Sequence, residues 1–193
     1  GLPGMPIPPI MPGDSFVARF VPPRSGSFMY HTHVSDVNQQ GKGLSGALLV
    51  VDDRSQYDPS HDRIFLAETD LEQPPMLNGQ LDPAPDTVRA GETYRLRLMN
   101  ITLGAPYLVF RFVTDSFPTA WTTIAKDGFD LPLRQQEAVP AVRPVSIGET
   151  MDVTWTARPG GSGWLEMRSE YGLLFRRQRI VVVAGEALPK GGN

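Results

Sequence analysis

The sequence contains no cysteine. No disulfide can staple the fold, and no thiolate is available as nucleophile, redox partner or soft metal ligand. Histidine is almost as scarce, with three in 193 residues, so any imidazole chemistry must come from a very small set. No block of lysine and arginine occurs, and the net charge is −3, which argues against a nucleic-acid partner. No apolar run approaches the roughly 18 residues that a membrane-spanning helix needs, and no secretory leader pattern opens the chain. Helical periodicity of useful length is missing. So are the Gly-x-Ser-x-Gly elbow of serine hydrolases and any phosphate loop, since no helix is expected after Gly160-Gly161-Ser162-Gly163.

What is present reads as β-structure. Hydrophobic residues make up 40% of the chain and charged residues 20%, enough apolar material for a core. The 19 glycines and 19 prolines are scattered between short apolar runs, the punctuation of many strands joined by turns. The proline-rich opening, residues 1–13, is expected to run as an extended arm. It lacks an initiating methionine and reads like the interior of a longer protein.

Three strands are expected next. In residues 15–21, Phe16, Ala18 and Phe20 alternate with Val17, Arg19 and Val21. In the second, Phe28, Tyr30 and Thr32 share one face while Met29, His31 and His33 share the other. A polar loop over 35–43 leads to a buried strand over 44–51. Three strands are too few for a closed sandwich and would leave open edges and an apolar face, so this block must pack against the rest of the chain or another subunit. The polar stretch 52–62 then marks a boundary. His61, beside Asp62, is read as a solvated or salt-bridged surface histidine.

Beyond the boundary the pattern restarts with a strand at 63–68, an Asn-Gly turn at Asn78-Gly79, and a half-buried strand at 93–100. In that last strand Arg95 and Arg97 alternate with Tyr94, Leu96 and Leu98, which suggests a solvated charged face rather than an anion site. Further strands at 108–112, 121–125, 144–147, 151–157, 164–168 and 179–184 give an all-β sandwich of about seven or eight strands.

His31 and His33, two apart on one strand, look the same way. From spacing alone they are either an ordinary polar rim or two ligands of a metal site. A Ser–His hydrolase built from Ser35 or Ser45 is conceivable, but Ser45 has no evident base nearby.

Three blocks carry a family resemblance: Pro12-Gly13-Asp14-Ser15-Phe16; Gly26-Ser27-Phe28-Met29-Tyr30-His31-Thr32-His33; and Gly43-Leu44-Ser45-Gly46-Ala47-Leu48-Leu49-Val50. They resemble the end of the first cupredoxin domain of multicopper oxidases, where the motif reads Gly-Thr-Phe-Trp-Tyr-His-Ser-His in the laccase and copper-resistance branches. The later blocks Gly91-Glu92-Thr93-Tyr94-Arg95-Leu96-Arg97-Leu98, Ala125-Lys126-Asp127-Gly128 and Gly148-Glu149-Thr150-Met151-Asp152-Val153 are similar to the second cupredoxin domain, in the family's order.

The resemblance implies a cupredoxin-like Greek-key β-sandwich. Residues 1–62 would be the C-terminal part of a first domain and 63–193 a complete second one. It implies copper, with His31 and His33 as ligands of a type 3 pair, one to each ion. It also implies a parent that oxidises phenols or metal ions with reduction of dioxygen to water, located in the periplasm or secreted. The family's cysteine-bearing copper site and most of its cluster histidines have no counterpart here, so the chain is expected to be a core fragment with a partial site, inactive alone and without a catalytic residue of its own. The open edge of residues 15–51 would be covered by missing cupredoxin domains or by copies of the chain in a homo-oligomer. Two other readings remain: an oligomeric copper or zinc binder, and a hydrolase using a metal held by the same pair.

Overall fold

The computed structural model describes residues 10–33, 35–53, 57–69, 74–104 and 107–185. Residues 1–9 of the expected N-terminal arm, and 54–56 of the expected boundary, lie outside them. The first strands are β1 (Gly26–His31) and β2 (Ser45–Val50), antiparallel, with Gly26 opposite Val50 and His31 opposite Ser45. The stretch between them contains one short helix, α1 (Asp36–Gln40).

Among the described residues twelve further strands follow: β3 (Asp62–Glu68), β4 (Met76–Leu77), β5 (Asp86–Arg89), β6 (Thr93–Asn100), β7 (Tyr107–Thr114), β8 (Ala120–Lys126), β9 (Phe129–Asp130), β10 (Ala138–Pro140), β11 (Val142–Ser146), β12 (Thr150–Thr156), β13 (Gly163–Ser169) and β14 (Leu174–Val183). One sheet has the order β10-β8-β12-β6-β3-β4, with β9 on β8, and the other has the order β11-β7-β13-β14-β5. β3 pairs with β6 and β14 with β5 in parallel, and the remaining pairs are antiparallel. From β5 to β8 successive strands alternate between the two sheets, which closes them into an all-β sandwich.

The core lies between the sheets and follows the period of two. Leu96 and Leu98 of β6, Leu108, Phe110 and Phe112 of β7, and Leu165 and Met167 of β13 all point inward. The turn after β4 is what Asn-Gly chemistry dictates. Asn78 and Gly79 both take positive φ, 51° and 68°. The Asn78 side chain also ties the turn to β3, accepting from the Leu66 amide at 2.8 Å and donating to the Ile64 carbonyl at 2.7 Å.

Three expectations are corrected. Residues 15–21 form no strand: they are irregular and exposed, with Phe16 at 53% and Phe20 at 60%. Alternation makes a strand only where an edge is available to pair with, so the leading block has two strands, not three. The sandwich has more strands than seven or eight, because pieces as short as β4 and β9 carry no periodic signal. Arg95 and Arg97 do not form a solvated face. Arg97 is 3% exposed and bonded to Asp62 and Asp152, and Arg95 also bonds Asp152.

The reason is the docking of the β1–β2 pair on the outer face of the larger sheet. One side of the pair presents Ser27, Met29 and His31 from β1 and, opposite them, Leu49, Ala47 and Ser45 from β2. Met29, Ala47 and Leu49 pack on Leu66, Met99 and Ile101, a second apolar cluster separate from the main core. Covering that face also buries Arg97 and half-buries Arg95, which must then find carboxylates. At the base of the pair Gly26, φ +142°, lies so close to Gly128 that a Cβ there would meet the Gly128 Cα at 2.5 Å.

Candidate metal centre

β1 ends at His31, and the chain leaves the strand with Thr32 and His33. That exit brings the two rings closer than straight-strand spacing would, roughly 6.5–7 Å between alternate residues. Their centroids are 4.6 Å apart with planes tilted by 36°. Both side chains are exposed.

His31 Nδ1 lies 2.8 Å from the Thr32 carbonyl oxygen. A carbonyl can only accept, so this contact places the proton on Nδ1 and leaves the Nε2 lone pair free, the arrangement by which a ligating histidine is oriented by its second nitrogen. Thr32 Oγ1 in turn donates to Gln39 Oε1 at 2.6 Å, holding the strand end against α1.

Below His31 a cleft of about 340 Å³ opens between the β1–β2 pair and the sandwich, lined by Met29, Gln40, Ile101 and Leu103 among others. Gln40, expected in a polar loop, is 2% exposed and donates to the Ile101 carbonyl. Only the fold could reveal this, since a glutamine in a polar stretch gives no sign of burial. Ser45 lies across the strand pair from His31, but its hydroxyl donates to Glu68, at 3.4 Å, and burial raises the Glu68 carboxyl above the ordinary carboxylate range. It has no nucleophile geometry.

His61 lies away from the pair. Its Nδ1 meets Asp58 at 2.6 Å and its Nε2 meets Glu92 at 3.2 Å, while its ring stacks on Tyr94. It is the salt-bridged surface histidine that its setting suggested, although its partners are Asp58 and Glu92 rather than Asp62. The hydrogen bond to Asp58 raises its pKa above the ordinary value, aided by the charges of Asp58 and Glu92. Asp58 itself is lowered to about 2, chiefly by the hydrogen bonds from Ser60 and His61.

Among the described residues, no three His, Cys, Asp or Glu side chains gather in a group able to hold a metal ion. The site is therefore a pair of neighbouring imidazoles, one of them held through its Nδ1 by a backbone carbonyl.

Residues 1–55, which carry both histidines, match the multicopper oxidase family. Over 156 residues the chain is 31% identical to a laccase of Phlebia radiata, an alignment covering 73% of this chain and 29% of that protein. The chain belongs to the multicopper oxidase family. A copper-containing nitrite reductase of Pseudomonas chlororaphis is 27% identical over 155 residues, covering 76% of this multicopper oxidase chain and 42% of the relative. The chain thus spans less than half the length of either relative. The fold matches the blue copper oxidase from Nitrosomonas europaea with a TM-score of 0.67 over 90% of this chain and 61% of that one, at 18% identity.

Copper is the metal that the family implies, and the donor chemistry of the pair suits it, since neutral imidazole is a good copper ligand. Two nitrogens are short of the three or four protein ligands that a stable site generally uses. Among the described residues no helix is long and apolar enough to cross a membrane.

Proposed function

We propose that this chain is the part of a multicopper oxidase that carries one strand of its copper cluster, with His31 and His33 each ligating one ion of a type 3 pair. The observation that carries the reading is the convergence of the two rings, 4.6 Å apart, at the end of β1 inside the stretch that matches the family. Copper bound there would supply the reduction of dioxygen to water, with electrons drawn from phenolic or metal-ion reductants. The chain's own residues hold and orient the imidazoles. Thr32 fixes the His31 ring through its carbonyl, Gln39 fastens Thr32, and the packing of Met29, Ala47 and Leu49 sets the strand on the sandwich.

On this reading the remaining ligands come from cupredoxin segments that complete the site, and the isolated chain is inactive as an oxidase. The outward apolar residues Tyr30 and Leu44, 55% and 54% exposed, support coverage of the β1–β2 pair by such a segment or by a second copy of the chain. A periplasmic or secreted location follows from the family assignment.

Copper(II) titration, followed by electron paramagnetic resonance and metal analysis after desalting, tests the proposal. The wild-type chain is expected to take up copper with imidazole-nitrogen hyperfine structure that disappears in the His31→Ala/His33→Ala double variant. Equal uptake with the same spectrum by both proteins would refute it. Light scattering in the same samples separates a monomeric two-ligand site from one assembled between copies.

A further inference from the structure

The inner face of β1 carries one residue that chemistry alone would not put there. Ser27 is 2% exposed, next to the apolar contacts that Met29, Ala47 and Leu49 make on the same face. Its hydroxyl donates to Asp152, 2.8 and 2.9 Å from the two carboxylate oxygens, and accepts from Arg97 Nη1 at 2.9 Å. Arg97 is held in turn by Asp62 at 2.5 Å, and Asp152 by Arg95 at 2.5 Å. The Ser27 carbonyl accepts from Thr150 Oγ1 at 3.0 Å. Asp152 is 1% exposed and Arg97 3%. A buried carboxylate and a buried guanidinium thus meet a strand from another part of the chain through one hydroxyl.

The pairing of two strands leaves their register free to slip, and a slip of one residue turns every side chain to the opposite face. If β1 slipped against the sandwich, Gly26 or Phe28 would stand where Ser27 stands. Asp152 and Arg97 would lose a hydrogen-bonding partner in a site closed to water, which is strongly unfavourable. The same slip would turn His31, four residues along the same face, away from the cleft. The apolar contacts of Met29 and Leu49 do not discriminate so sharply, because any side chain of similar size fills such a space.

We propose that the Ser27–Asp152–Arg97 cluster is a register key: it fixes which face of β1 meets the sandwich and so positions His31 over the cleft, with the His33 ring beside it. Ser27 and Asp152 are positioning residues; neither touches the bound group. The effect on copper rests on the ligand assignment proposed above, whereas the effect on ring position does not.

The experiment compares Ser27→Ala, which removes the hydroxyl, with Leu49→Ala, which trims the apolar side chain across the strand pair from Ser27 and leaves every hydrogen-bonding group of the cluster in place. Two readouts are taken on the full chain. Without metal, amide exchange in β1 and β2 and the NMR signals of the His31 and His33 rings are recorded. With copper(II), affinity and the paramagnetic resonance spectrum are recorded. In Ser27→Ala, exchange in β1 is expected to rise by about tenfold while Leu96 and Val153 in the sandwich stay protected, and the ring-to-ring contact signal is expected to split or vanish. Copper affinity is expected to fall by about tenfold with an altered spectrum, the size typical when a ligand's support is removed. Leu49→Ala is expected to speed exchange but to keep the ring contact and the spectrum. Unchanged ring signals in Ser27→Ala, or identical ring changes in both variants, would overturn the register role. If copper binds the wild type and the His31→Ala/His33→Ala variant alike, the ligand assignment fails while the metal-free readout still decides the positioning.

Discussion

Replacement of Asp152 by alanine gives the strongest stability effect that the polar groups of this fold predict. Asp152 is 1% exposed and accepts from Ser27, Arg95 and Arg97. Its removal strands Arg97, 3% exposed, beside a cavity, with Asp62 as its remaining carboxylate. Taking one partner from a buried ion pair costs about 3–5 kcal/mol, because the other charge stays desolvated. Arg97 keeps Asp62, so the lower end applies, about 3 kcal/mol. For a chain of this size that corresponds to a fall in Tm of roughly 6–12 °C. Urea unfolding followed by far-ultraviolet circular dichroism measures it, with the m-value checked for constancy. The control is Asp115→Ala. Asp115 pairs with Arg179 at the same 2.5 Å but is 48% exposed, and its loss should leave Tm unchanged. A loss below about 1 kcal/mol in Asp152→Ala, or equal effects at the two sites, would refute the argument that burial rather than contact length sets the strength of these pairs.

Leu98→Ala, at a fully buried position between the sheets, is expected to cost about 2–5 kcal/mol in the same assay. Burial holds the pKa of Glu68 up, so its ionised form opposes folding. Stability from this group is full below the unfolded carboxyl pKa and is lost as pH rises through the raised folded value. Glu68→Gln should therefore raise Tm at pH 7 and not at pH 3.5, and an equal change at both would refute the assignment. The raised pKa of His61 has the same sign. Its contribution is complete below pH 6.5, the ordinary histidine value, and fades as pH rises through the folded pKa. NMR titration should place His61 above 6.5, and Asp58→Asn should bring it down.

The all-β class, most strand positions, the Asn78-Gly79 turn and the closeness of His31 to His33 were legible in the sequence. Each of these depends on neighbours in the chain: side-chain alternation, positive φ at an Asn-Gly pair, and two residues of spacing. The three family-like blocks in the first part added the copper reading. What depends on distant segments came only with the packing of the fold. Residues 15–21 have the same alternation as a strand and yet find no edge. Arg97 looks like a solvent-facing residue on β6 until β1 and β2 cover it. Ser27 and Asp152 are 125 positions apart, and nothing local in either marks them as partners. Gln40 sits in a polar stretch and is buried because Ile101 lies above it. Local chemistry sets which face a residue takes, but only the docking of one segment on another sets whether that face meets water.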